Sequence, residues 1–184
     1  MKTDTGTILT GTMEPEPRPG PAYTRKSTIK IFDLNNCLWS LKRFISPESQ
    51  GQISLRTAFG EMELPVRGDP AGIATLFFAL LECGTRLVPG GSMTVLTMFL
   101  PLYAHWTSES RRKGCALLSF QAAPRSGQRI ANFSGQEEIV RVLSDVRTMV
   151  EEMGGRFRLS FRSSGISFNI YLPLMWPIHK IVNT

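Results

Sequence analysis

Hydrophobic residues recur at helical spacing in three separate segments of the chain. The first segment begins at Asp33 or Asn35, either of which can cap a helix, and its apolar positions are Leu34, Leu38, Leu41 and Ile45. The second follows Asp69-Pro70, a carboxylate cap with proline at the first helical position, and its stripe is Ile73, Leu76, Phe77, Leu80, Gly84 and Leu87. The third ends at Gly154-Gly155 and carries Ile139, Val142, Val146, Met149, Val150 and Met153. The pattern predicts three amphipathic helices.

Strands are predicted between these helices from alternating or continuous apolar residues. Residues 52–59 alternate, and Gly60 then turns the chain into 61–66 as a partner strand. Residues 92–103 are largely apolar, which is typical of a strand buried on both faces, and 114–120 follow as the next strand. The last two strands form a hairpin whose apolar face is Phe157, Leu159, Phe161, Ile166, Phe168, Ile170 and Leu172.

The predicted order of elements is helix, two strands, helix, two strands, loop, helix and hairpin. Strands from separated segments with helices on one face form a two-layer sandwich. We therefore predict an α+β domain over residues 27–175, built as a two-layer α/β sandwich with a mixed sheet and helices on one face. Residues 1–26 are rich in Pro and Gly and are predicted to be a flexible tail, and 176–184 a short C-terminal tail.

Composition supports a globular protein, since 42% of the residues are hydrophobic and 20% are charged. The chain has no apolar run of the roughly 18 residues that a membrane span needs, and its first residues do not resemble a secretory signal. A cytoplasmic protein without a membrane partner is expected. The cysteines Cys37, Cys83 and Cys115 are widely spaced, and His105 and His179 have no ligand neighbours. Buried reduced thiols are therefore expected, and no metal site.

The net charge of +6 is concentrated in part on the last hairpin, where Arg156, Arg158 and Arg162 share one face. Such a surface fits an acidic protein or a nucleic acid, and a merely solvated sheet face is the alternative. The sequence has no basic groove interleaved with aromatic residues and no nucleic-acid motif. These arginines are therefore a candidate contact surface for a protein partner rather than for a nucleic acid.

Three ordered segments are similar to the ATP-binding domain of histidine kinases, the Bergerat or GHKL fold. Residues 66–91 resemble the family's "G-D, apolar helix, P-x-G-G" stretch. Residues 143–155 resemble its "L-A-x-V-x-x-I-V-E-x-x-G-G" helix, and residues 165–173 its closing "G-T-x-F-x-I-x-L-P" strand. The resemblance covers roughly residues 30–174 and implies the histidine-kinase ATPase fold and two-component signal transduction.

The resemblance also implies where Mg²⁺ and nucleotide would bind, and this sequence departs from the family there. Counting back from Pro89, Cys83 stands where the family has an asparagine that helps to bind Mg²⁺, and a neutral thiol is a poor ligand for a hard cation. Glu82 is adjacent, but one residue turns it by about 100° around the helix.

The adenine and phosphate motifs are also replaced. At the family's D-x-G-x-G, whose Asp accepts a hydrogen bond from adenine, the chain has Ala122, Pro124 and Ser126. At the G-x-G-L-G that cradles the phosphates it has residues 138–142, which contain no glycine and begin with the acidic Glu138. The vestigial pocket is thus predicted at Glu82, Cys83, Arg86, Ala122, Pro124, Ser126 and Glu138, with no catalytic residue.

Three functions remain open from the sequence. The favoured one is a non-catalytic protein-interaction module in two-component-type signalling, binding a histidine kinase or a response regulator and needing no ATP or Mg²⁺. Its contact surface would be the arginine-rich sheet face or, as the alternative, the apolar helix beside the phosphate lid (the G-x-G-L-G position). The second is an ATP-binding kinase or ATPase domain with atypical nucleotide contacts. The third is a structural remnant that acts as a homodimer.

Overall fold

The computed structural model describes residues 28–45, 53–101, 114–125, 137–162 and 164–175. Three helices are present in these ranges, namely α1 (Leu34–Lys42), α2 (Pro70–Leu87) and α3 (Glu137–Glu152). The strands in the same ranges are β1 (Lys30–Asp33), β2 (Ser54–Ala58), β3 (Pro65–Gly68), β4 (Ser92–Leu100), β5 (Cys115–Ala123), β6 (Arg156–Arg162) and β7 (Gly165–Pro173). The two predicted tails lie outside the described residues.

Five strands form one mixed sheet in the order β2-β4-β5-β7-β6. Strand β2 runs parallel to β4 and is joined to it through β3 and α2, whereas every other neighbouring pair in the sheet is antiparallel. Alternate side chains of β4, β5 and β7 are buried in one hydrophobic core. Apolar residues of the three helices pack in the same core, some of them only partly buried. The predicted two-layer α+β sandwich with a mixed sheet is confirmed.

Helix α2 has the boundaries that its cap predicts. The Asp69 side chain accepts a hydrogen bond from the backbone N–H of Ala71 at 3.0 Å, and Pro70 occupies the first turn, where its missing N–H costs nothing. The predicted apolar stripe of α2 is buried along its whole length. Helix α3 likewise buries Ile139, Leu143, Val146 and Val150.

The cap of α1 is Asp33, and Asn35 has a different role. The Asp33 carboxylate accepts hydrogen bonds from the backbone N–H of Asn35 at 3.2 Å and of Leu64 at 2.8 Å. The Asn35 amide donates to the carbonyl oxygens of Gly60 at 2.9 Å and Met62 at 2.7 Å, and it accepts from the Thr97 hydroxyl at 2.6 Å. This buried network fixes the loop after β2 to α1 and β4.

The predicted hairpin between residues 52–59 and 61–66 is wrong. Residues 61–64 are a loop, held by the hydrogen bonds to Asn35, and the strand starts only at Pro65. Strand β3 pairs antiparallel with β1, a strand that the sequence pattern did not indicate, in a separate two-stranded sheet. An isolated bridge between Val66 and Leu174 connects this small sheet to the end of β7.

The predicted C-terminal hairpin is confirmed as β6 and β7, with Leu159 opposite Phe168. Phe161 lies on the predicted face but is 53% exposed, because β6 is an edge strand. Strand β5 ends three residues later than predicted. Gln121, Ala122 and Ala123 still pair with β4, so the expected loop starts only at Pro124.

Candidate functional site

Cys83 and Ala122, two of the positions that the resemblance assigns to the nucleotide, lie respectively at the C-terminal end of α2 and in one row of cross-strand neighbours in the sheet. Met93 on β4, Ala122 on β5 and Ile166 on β7 are direct cross-strand neighbours in that row. All three side chains are buried, with Met93 completely inaccessible to solvent. On the helix above this row, Cys83 is also buried and only 3% exposed.

The space beside Gly84 is filled by the Met93 side chain. A Cβ atom placed on Gly84 would lie 1.7 Å from the terminal methyl carbon of Met93 and 3.7 Å from the Cβ of Ala122. Carbon atoms in contact are about 3.5–4.0 Å apart, so no side chain fits at residue 84 while Met93 keeps this conformation. Gly84 therefore lets the thioether of β4 pack directly against the backbone of α2.

Two apolar side chains stand where the family's strings carry polar ones. Ala122 is at the aspartate of D-x-G-x-G, and Ile166 is at the threonine of the closing "G-T-x-F" string. Their pairing across β5 and β7 places a methyl group and a branched aliphatic chain side by side in the core. This pair of positions offers no side-chain hydrogen-bond acceptor or donor.

The Cys83 thiol is held in its neutral form. Burial is the main cause and raises its pKa to about 11, and the negative charges of Glu82 and Glu138 act in the same direction. The nearby Arg86 partly opposes this shift. A thiol that stays protonated at neutral pH is a poor metal ligand and a poor nucleophile.

Arg86 joins the last turn of α2 to the first turn of α3. Its guanidinium lies 2.7 Å from a carboxylate oxygen of Glu82, one helical turn earlier, and 2.5 Å from one of Glu138. The hydrogen bond to Glu138 and the charges of both carboxylates raise the pKa of Arg86. The three side chains are exposed, so this cluster lies on the surface in front of Cys83.

The structure thus divides the predicted pocket residues into two groups. Cys83 and Ala122 are buried in the core, whereas Glu82, Arg86 and Glu138 form the ionic cluster on the surface. Pro124 follows the end of β5, and Ser126 lies outside the described residues. The filling residue Met93 was missed by sequence reasoning, and the signal that could have found it is the glycine inside a helix at position 84.

Arg156, Arg158 and Arg162 project from the sheet face that is opposite the helices. Their neighbours on β7 are Tyr171, Asn169 and Gly165, whereas the alternate residues of β7 are buried under the helices. In the ranges that the structure describes, no three or more His, Cys, Asp or Glu side chains are grouped so that they could hold a metal ion. None of the described helices is long and apolar enough to cross a membrane.

Solved structures that superpose on this architecture include domains and segments of histidine kinases. The catalytic domain of histidine kinase ThkA superposes with a TM-score of 0.59 at 15% identity, over 80% of this chain and 98% of that one. The chain has the fold of a histidine kinase catalytic domain. Histidine kinase AdeS of Acinetobacter baumannii has a TM-score of 0.55 at 16% identity, over 80% and 68% of the two chains.

The cytoplasmic segment of histidine kinase QseC gives a TM-score of 0.55 at 15% identity, covering 80% of this chain and 79% of that one. No protein-family model and no curated protein sequence matches the chain. The relation to histidine kinases is therefore one of fold.

Proposed function

We propose that the chain is a non-catalytic domain of the histidine-kinase ATPase fold that acts as a protein-interaction module in two-component-type signalling. The observation that carries the proposal is the Met93 methyl group packed against Gly84, in the row that also contains Ala122 and Ile166. Two of the positions that the resemblance gives to the nucleotide site, Cys83 and Ala122, are thus buried in the core beside this contact. Among the described residues, this packing supports a domain that keeps the shape of the kinase domain without its nucleotide cavity.

The chemistry of the neighbouring residues supports the same conclusion for each part of Mg-ATP. The neutral Cys83 thiol offers Mg²⁺ no hard oxygen ligand, and the carboxylate of Glu82 is paired with Arg86. Ala122 cannot accept a hydrogen bond from an adenine amine, and an unpaired buried donor costs roughly 1–3 kcal/mol. Glu137 and Glu138 in the first turn of α3 repel phosphate. The described residues do not fit Mg-ATP.

Nucleotide binding by calorimetry and thermal shift tests the loss of the cavity. A ligand present at 100 times its Kd stabilises a protein by about 2.7 kcal/mol, which corresponds to several degrees of Tm for a domain of this size. We expect no change in Tm and no heat of binding with ATP or ADP up to millimolar concentration, with or without Mg²⁺. The ThkA catalytic domain is the positive control. Saturable binding would refute the proposal.

Atypical nucleotide binding remains the second candidate because Arg86 is an exposed cation at the mouth of the former site. In that case its guanidinium would leave Glu138 to contact a phosphate group. If a nucleotide does bind, Arg86→Gln should abolish the binding, and Arg147→Gln, on an exposed ion pair of α3, should leave it unchanged.

The partner that we propose is a histidine kinase or a response regulator, in the cytoplasm. Support comes from the shared fold, and one of the similar structures is itself a cytoplasmic kinase segment. Kinase and regulator pairs from the source organism can be phosphorylated with labelled ATP, with and without an excess of this chain. A change in the rate of phosphotransfer for one pair is expected. Unchanged rates in all pairs would contradict a role in two-component signalling.

A further inference from the structure

Every charged residue on the five-stranded sheet is an arginine. Strands β2, β4, β5, β6 and β7 contain no Asp or Glu, and their only charged side chains are Arg56, Arg156, Arg158 and Arg162. The register places all four on the face opposite the helices, since Arg56 is opposite Thr94, and Arg158 opposite Asn169. We call this the arginine face. Its cations lie on the two edge strands, β2 and β6.

The centre of the arginine face is apolar at one end. Met98 and Leu117 are cross-strand neighbours on β4 and β5, and Leu96 is the next outward residue of β4. Met98 is 50% exposed, although it lies on a central strand. An exposed methionine flanked by leucines is a surface that adapts to apolar side chains of different shapes.

Beside this apolar patch, the central strands β5 and β7 carry polar side chains that form hydrogen bonds with one another. The Ser119 hydroxyl donates to the Asn169 side-chain oxygen at 2.7 Å, and the Asn169 amide donates to the Ser167 hydroxyl at 3.4 Å. Beside them a cavity of about 380 Å³ is lined by Gln121, Arg162, Ser167 and Asn169, among others. The cavity presents guanidinium and amide donors and no acidic side chain, which is a suitable environment for a carboxylate.

We propose that the arginine face binds an acidic amphipathic helix of a partner protein. The helix would set its apolar stripe on Leu96, Met98 and Leu117, and its carboxylates would reach the arginines of the two edges. Neighbouring strands lie about 4.8 Å apart, so β2 and β6 are separated by roughly 19 Å. A helix with its side chains is about 10–12 Å wide, and it therefore fits between the two cationic edges. The inference rests on the proposed interaction role and names its surface and the chemistry of the partner.

A nucleic acid is the competing ligand for four arginines. Single-stranded RNA on a sheet is held by bases stacked on several aromatic side chains, and Tyr171 is the only aromatic residue that the five strands direct to this face. The apolar patch on β4 and β5 gains nothing from a phosphate backbone, whereas it matches the apolar stripe of a helix. The composition of the face therefore favours a protein.

The test uses a synthetic helical peptide with leucines at positions i, i+3, i+4 and i+7 and glutamates on its other faces. A peptide of the same composition in shuffled order, and a single-stranded RNA of 20 nucleotides, are the comparison ligands. Binding is followed by amide chemical shifts of the isotope-labelled chain. We expect the amphipathic peptide to shift residues of β4, β5, β6 and β7 and to bind at least 10-fold more tightly than the shuffled one.

Two variants separate the specific surface from general electrostatics. Arg156→Glu/Arg162→Glu should weaken peptide binding at least 10-fold. Arg43→Glu/Arg141→Glu makes an equal change of charge at two exposed residues, one just after α1 and one on α3, and should weaken binding less than 3-fold. Met98→Lys adds a positive charge to the face. It should weaken binding because the apolar contact is lost, whereas a purely electrostatic surface would bind the acidic peptide more tightly.

Several results would overturn the proposal. They are shifts that map to the helices, equal losses in both arginine variants, tighter binding after Met98→Lys, no peptide binding, or tighter RNA binding at the same residues. Circular dichroism melts of each variant exclude loss of folding as the cause. Mg-ATP is titrated into the same sample as a separate measurement. Binding of nucleotide would contradict the proposed loss of the cavity, and the peptide titration would still test the arginine face independently.

Discussion

The close packing at Gly84 can be tested by replacing this residue with alanine. The added Cβ would lie 1.7 Å from the methyl carbon of Met93, so that methyl group must withdraw by about 2 Å. Met93 is completely buried, and overpacking a core costs typically about 1–3 kcal/mol. Alanine in place of glycine inside a helix contributes about 1 kcal/mol in the opposite direction. Gly84→Ala should therefore change the free energy of unfolding by between about 0 and −2 kcal/mol.

The same substitution should have the opposite effect once the obstacle is removed. Met93→Val removes the sulfur and the terminal methyl carbon, which are the atoms nearest to the added Cβ, and adds one methyl group on the Cβ of residue 93. In that background Gly84→Ala keeps its helix propensity and fills part of the space, so it should stabilise the protein by about 1 kcal/mol. The expected coupling between the two sites is about 1–3 kcal/mol.

Urea unfolding of the four proteins, with equal m-values, measures this double-mutant cycle. If Gly84→Ala stabilises the original protein as much as the Met93→Val variant, the methyl group does not fill the space beside α2. The central observation of the proposed function would then fail. Gly84→Ala should not create nucleotide binding in either background, because Ala122 and Cys83 remain.

Two further predictions concern Ala122 in this site and two buried cysteines, Cys83 beside it and Cys115 at the opposite end of β5. Ala122→Asp should lower the free energy of unfolding by several kcal/mol at pH 7, because it buries a carboxylate among apolar side chains. The loss of stability should be smaller at pH 4.5, where the buried carboxyl group is protonated. A free energy of unfolding within about 1 kcal/mol of the parent's at pH 7 would contradict this prediction. Cys83 and Cys115, whose pKa values are raised from 9.0 to about 11, should have about 100-fold less thiolate at pH 8 and react with Ellman's reagent only after unfolding. Because folding raises both pKa values, this stabilisation is complete below pH 9 and is lost as the pH rises towards 11. The Tm should accordingly fall more steeply between pH 9 and 11 than in Cys83→Ala/Cys115→Ala, and parallel curves would refute the assignment.

Local signals in the sequence were sufficient for the helices. The cap at Asp69, the following proline and the apolar period together define α2, because all three act within one turn or one face of the same helix. The final hairpin is equally local, since β6 and β7 follow one another and each alternates. Their arrangement in two layers followed from the order of the elements.

Pairing between distant segments was not accessible in the same way. Strand β1 has only four residues, and the exposed isoleucines Ile29 and Ile31 at its start give it no buried alternation. The prediction of a hairpin at Gly60 relied on chain proximity. The prediction failed because the side-chain amide of Asn35 donates hydrogen bonds to the carbonyl oxygens of Gly60 and Met62. These bonds hold the loop away from β2.

The sequence indicates candidate positions for the site but not how their side chains pack. Counting along the resemblance located Cys83 and Ala122, and both lie at the end of α2 and in the row beneath it. That Met93 fills the space at Gly84 depends on how closely β4 approaches the helix. This distance is set by the whole core, and no local pattern in the sequence records it.

The arginines of β6 have a consequence for self-association. Strand β6 is at the edge of the sheet, and its outer backbone pairs with no other strand that the structure describes. Edge strands recruit further strands from other molecules unless charge prevents it, and here arginines at alternate positions would repel those of a second copy. An acidic partner that neutralises this charge must therefore also cover the edge of β6, or its binding would promote the growth of strand-paired aggregates.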